Sequence, residues 1–86
     1  MNQDHIKAQE HSLGNKAEIQ ASQECGCFYC MHIFSGSEVT EWIDQGKPFG
    51  ETALCPDCGL DTVIGSNSGY PITKGFLYKM HEKWFG

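Results

Sequence analysis

Cys27 and Cys30 form one C-x-x-C pair and Cys55 and Cys58 form a second, with 24 residues between the pairs. Cysteines three apart can chelate one ion through a tight turn, and two such pairs close a tetrahedral cage of four sulfurs. The metal most often found in that cage is zinc. Proline stiffens the second turn, Cys55-Pro56-Asp57-Cys58-Gly59, and glycine after it lets backbone N–H groups approach the thiolates. A catalytic zinc keeps one coordination position open, whereas four cysteines fill it. The expected role is therefore a single structural Zn2+, and the chain is not expected to be an enzyme.

Iron is the competing metal, because the second turn is also similar to a rubredoxin knuckle. The first turn departs from that pattern, with bulky Met31 where glycine would follow Cys30, and zinc is favoured over iron. The fifth cysteine, Cys25, lies two residues before Cys27 and reads as an alternate ligand, a redox-active thiol or a spare one. His32 follows the first pair and reads as a hydrogen-bonding neighbour of the site rather than a ligand. His5, His11 and His81 show no ligand spacing. Glu38, Glu41 and Asp44 read as the solvated face of an element, not as acid–base chemistry.

These residues need a scaffold, and 86 residues leave room for one small core. A metal staple is expected at that size. A break in composition falls near residue 24: every cysteine and all ten aromatics lie beyond it. Residues 1–23 read as a polar leader with a short helix near 15–22, and 24–86 as the zinc-binding domain. Ser35 and Glu38 have capping-box spacing, and Val39, Trp42 and Ile43 fall on one helical face, which predicts a helix over 36–45 ended by Gly46. Thr52-Ala53-Leu54 and Thr62-Val63-Ile64 predict two strands of a short hairpin carrying the second knuckle. Gly65 to Gly69 reads as a connecting turn. Thr73 predicts the N-cap of a last helix to about Phe85, with Phe76, Leu77, Met80 and Trp84 on its inner side. Tyr78 and Phe85 then fall on nearly the opposite side and form the expected interaction surface, for a protein partner or a second copy of the chain.

Charge narrows the partners. The formal net charge is −5 and all six basic residues are lysine. A dication held by four thiolates makes the total more negative still. Nucleic-acid binding favours a basic stripe and arginine forks, so it is not expected, although a nucleic-acid-binding zinc finger regulator stands as one alternative. A thiol redox switch and a rubredoxin-like iron electron carrier are the others. No run of roughly 20 apolar residues offers a membrane span, and no apolar signal segment opens the sequence. The expected location is the cytoplasm, where C-x-x-C thiols stay reduced for metal.

The run from Cys25 through Phe34, then Glu38 to Trp42, then Thr52 to Gly65, resembles a family of small bacterial proteins labelled only as cytoplasmic proteins. The resemblance extends over about residues 12 to 85, implies cytosolic placement and carries no activity. A looser likeness is to GATA-type fingers, which share a tryptophan segment and a Cys-x-x-Cys-Gly-Leu ending. The basic residues that such fingers set on DNA have no counterparts here. The combined expectation is a small α+β zinc-stabilised domain, zinc-ribbon or treble-clef-like: two zinc knuckles, a short β-hairpin, a helix between the knuckles and a C-terminal helix.

Overall fold

In a computed structural model that describes residues 4–86, helix α1 (Asp4–Lys7) leads into a 3₁₀ turn (Ala8–Ser12) and helix α2 (Lys16–Ala21). Strands β1 (Cys25–Cys27), β2 (Ile33–Phe34), β3 (Trp42–Ile43), β4 (Thr52–Ala53) and β5 (Val63–Gly65) come next, and helix α3 (Lys74–Trp84) ends the chain. The result is a small α+β fold. All pairing is antiparallel, in a three-stranded sheet of order β2-β1-β5 and a two-stranded sheet of β3 and β4.

The period of two along a strand splits the apolar side chains between two clusters. Cys25, Cys27 and Val63 face a cluster with Ile19, Phe34, Val39, Ala53 and Cys55. Ile64 faces the other, with Ala8, Phe28, Leu77 and Met80. Helix α3 comes close to β1 because residue 26 is glycine: a Cβ there would lie 2.7 Å from Leu77 Cδ1. That approach needs the missing side chain. Thr73 caps α3 as predicted, its hydroxyl accepting from Phe76 N–H at 3.1 Å.

Residues 4–23 are packed into both clusters. Ala8 and Ile19 are fully buried, α1 packs on α3, and the 3₁₀ turn packs on β5. The break near 24 is one of composition, and packing continues across it. Asn15, 3% exposed, shows how. Its side-chain N–H groups donate to the carbonyls of His11 at 2.9 Å and Val63 at 2.8 Å, and its Oδ1 accepts from Ala53 N–H at 2.9 Å. One amide thus joins α2 to both sheets.

Two expected elements are corrected. The helix over 36–45 is absent: the capping box forms, with Ser35 N–H donating to Glu38 Oε2 at 2.9 Å, but it holds only one 3₁₀ turn, Gly36–Glu38. The run Val39-Thr40-Glu41-Trp42-Ile43 is rich in β-branched and aromatic side chains, which favour extended backbone. It pairs with the chain at 52–54 instead, Trp42 opposite Ala53 and Leu54 N–H donating to Glu41 O at 3.0 Å. The hairpin of 52–54 with 62–64 is also absent. Those segments are β4 and β5, and they pair with β3 and β1 in separate sheets. A helix-start signal fixes one turn; long-range pairing decides the conformation of the residues beyond it.

Candidate metal centre

The two C-x-x-C turns are built alike, bond for bond. In the first, Cys27 N–H donates to His32 O at 3.0 Å and Met31 N–H to Cys27 O at 2.8 Å. In the second, Cys55 N–H donates to Leu60 O and Gly59 N–H to Cys55 O, both at 2.9 Å. Tyr29 and Cys30 N–H groups point at Cys27 Sγ (3.3 and 3.4 Å), as Asp57 and Cys58 N–H groups point at Cys55 Sγ (3.4 and 3.5 Å). Each turn therefore offers one thiolate two backbone donors, a typical way to hold charge on sulfur. The residue closing each turn is left-handed: Met31 at φ 60° and Gly59 at φ 75°.

The first turn leaves β1 and the second leaves β4, so the two sheets bring them face to face. The sulfurs of Cys27, Cys30, Cys55 and Cys58 all lie within 4.8 Å of one another. Cys27 to Cys58 is 3.6 Å and Cys30 to Cys55 is 3.7 Å. A tetrahedron with a metal–sulfur distance of about 2.3 Å has edges of roughly 3.8 Å. The two shortest edges match that cage and the donors suit a soft-ligand metal site, so these four residues could hold a metal ion.

Its electrostatics point the same way. Burial raises the Cys27 thiol, but hydrogen bonds from Cys30 N–H, the Thr62 hydroxyl 3.0 Å away and Tyr29 N–H outweigh burial and bring it below the ordinary value. Burial and the facing Cys27 thiolate push Cys30 up to about 12 and Cys58 up to about 11. Four sulfurs this close cannot all carry charge without a cation among them.

Neighbouring residues divide clearly. His32 Nδ1 pairs with the carboxylate of Asp57 across the two turns, on the exposed side of the centre. His32 is thus beside the site, as the sequence suggested, and Asp57 is a partner the sequence did not single out. Thr62, a further unforeseen member, is buried against Cys27 Sγ. Cys25 lies outside the quartet, fully buried in the core with Phe34 and Ile19, where burial pushes its thiol up to about 11. As β1 residues two apart, Cys25 and Cys27 share a face, yet Cys25 points into apolar packing. His81 sits against the Phe28 carbonyl at 3.2 Å, and His11 pairs with Glu18 at 3.0 Å.

At the end of α3, Leu77 and Met80 are buried as expected, whereas Trp84 is 41% exposed. Trp84 falls one turn beyond Met80 and walls a surface cleft rather than the core. Tyr78 is 55% exposed. Phe85 is less free: its ring is 5.0 Å from Tyr29 edge-on and 6.0 Å from Phe28. Tyr29 and Phe85 thus extend the aromatic surface from α3 to the first knuckle. No helix among the described residues is long and apolar enough to cross a membrane. Comparison with family models, with curated proteins and with solved structures gives no match to this chain.

Proposed function

We propose that this protein is a non-enzymatic zinc-binding module, in which the metal fastens the two knuckles and the aromatic surface near α3 engages another protein. The convergence of four sulfurs within 4.8 Å of one another carries the reading. Four cysteine thiolates, one in each turn held by two backbone N–H donors, are the usual surroundings of a structural zinc, and such a site contributes on the order of 10 kcal/mol to folding. Tyr78 and Phe85, both large and substantially exposed, supply apolar area for a partner or a second copy of the chain. The acidic chain and the absence of arginine argue against nucleic acid as that partner. Reduced cysteine pairs fit a cytoplasmic location.

Elemental analysis with a native mass tests the metal half: one zinc per chain and a colourless sample are expected. A red protein carrying iron would replace zinc by an electron-carrier site. The other half is tested by a double substitution, Tyr78→Ala with Phe85→Ala. It should keep zinc and weaken partner capture or self-association, and an unchanged pull-down and elution volume would remove that surface from the proposal.

A further inference from the structure

Between the first 3₁₀ turn and the end of α3 lies a cleft of about 220 Å³. That is below the roughly 300 Å³ at which small-molecule pockets usually begin, and it is of a size for one long side chain. Its walls are Leu13, Phe28, Trp84 and Phe85, with Gln9 and Asp61 among the polar members. Leu13, Trp84 and Phe85 are each at least two-fifths exposed, so the apolar wall faces water. Asp61 is exposed and, among the described residues, makes no hydrogen bond or ion pair.

We propose that this cleft receives the cationic side chain, arginine above all, of a basic segment in a protein partner. The proposal rests on the interaction role given above and specifies the partner's chemistry. Aromatic faces attract a guanidinium electrostatically and stack on its plane, and the Asp61 carboxylate can accept its N–H groups. An anionic group would meet Asp61 and a chain of net charge −5. A purely aliphatic plug would cover Asp61 and leave it unpaired, which costs free energy. Trp84 already draws a cation: Lys83 Nζ stands 5.9 Å from its ring centroid. Lys83 is then a like-charged competitor for the Trp84 ring, and its removal should favour the incoming side chain.

The test uses the full, zinc-loaded chain, labelled with ¹⁵N and titrated with three acetylated, amidated pentapeptides: Gly-Arg-Gly-Arg-Gly, Gly-Leu-Gly-Leu-Gly and Gly-Glu-Gly-Glu-Gly. The two indole N–H signals are told apart with Trp42→Phe. The arginine peptide should shift the Trp84 indole and the Phe85 amide saturably, with millimolar affinity, and the glutamate peptide should not. Asp61→Asn should weaken binding roughly threefold, the size expected for an exposed charge pair, and Lys83→Met should strengthen it. Silence of Trp84 toward the arginine peptide overturns the proposal. An equal response to the leucine peptide overturns the cation preference while leaving the face as an interaction surface. Concentration-dependent shifts without peptide assign the cleft to a second copy instead. Zinc content of the same sample checks the metal module separately, so failure of one reading is not mistaken for failure of the other.

Discussion

Met31 and Gly59 hold the same left-handed place in the two cysteine turns, at φ 60° and 75°, although only one of them is glycine. Left-handed backbone costs a side-chain-bearing residue about 1–2 kcal/mol. Met31 offsets part of this by packing against the cluster that contains Phe28 and Leu77, whereas a side chain at 59 would meet nothing within 4 Å. Gly59→Ala should therefore lower stability by about 1 kcal/mol with zinc retained, read as a shifted urea midpoint. Met31→Gly should move the midpoint less, because relieved strain and lost packing oppose each other.

On the zinc-module proposal, each of Cys27→Ser, Cys30→Ser, Cys55→Ser and Cys58→Ser should lose stoichiometric zinc and most of the cooperative unfolding transition. Chelator treatment of the unaltered chain should do the same. The expected loss is several kcal/mol, since zinc affinity and folding free energy are linked in a domain this small. Plasma emission spectrometry and far-ultraviolet circular dichroism on the same samples give the answer. A chelated protein that unfolds as cooperatively as before would contradict it.

Metal uptake should release protons. Without a metal, the Cys30 and Cys58 thiols are pushed up to about 12 and 11, so both are protonated at neutral pH and must ionise to bind. Affinity should therefore rise with pH and fall as pH drops. These two protons alone correspond to a slope of at least about a hundredfold in affinity per pH unit. Competition with a chromophoric chelator between pH 6 and 8 measures the slope, and a flat profile would mean that the thiols ionise before the metal arrives.

Cys25 should behave as a core residue. Its thiol rises from 9.0 to about 11 on folding through burial. A raised pKa favours the fold below the unfolded value, and this contribution fades as pH climbs from about 9 through 11. In the metal-loaded, folded protein, iodoacetamide at pH 8 should leave the buried Cys25 unlabelled until denaturant unfolds the chain. Cys25→Ala should cost about 1–2 kcal/mol through the lost packing and leave zinc bound. Rapid modification of Cys25 in the folded state would restore it as a redox thiol.

Asn15→Ala should be the most costly change outside the cysteines among these substitutions. It leaves Ala53 N–H and Val63 O, both in buried strands, without the side chain that pairs them. Each buried group left unpaired costs about 1–3 kcal/mol. Denaturant unfolding of the zinc-loaded variant reports the sum.

The parts of this molecule that depend on close spacing could be read from the sequence. The cysteine quartet, the Thr73 cap and the buried pair Leu77 and Met80 all stem from residues within two helical turns of one another or from one strong motif. Residues 39–43 show where such reading stops. Ser35 and Glu38 form their predicted box, but the backbone beyond takes its conformation from a partner strand that no local pattern names. Asn15 was equally hidden, because a polar residue in a polar segment gives no sign that its amide is to be buried between two sheets. The match of Asp57 to His32 depends on the turns meeting, which is a property of the fold rather than of either turn.

Because β1's turn meets β4's turn, a metal held by the four sulfurs would be a cross-link between distant points of the chain. It would close the 24 residues between Cys30 and Cys55 into a ring, and in a chain-entropy view this alone would remove about 3–4 kcal/mol of freedom from the unfolded chain. Such a penalty grows only as the logarithm of ring size, so doubling the ring would add about 0.6 kcal/mol. Extra residues at the exposed Gln45 to Pro48 bend should therefore leave the knot of sulfurs almost as firmly tied. In this ring, where the chain is fastened matters far more than how much chain lies between the fastenings.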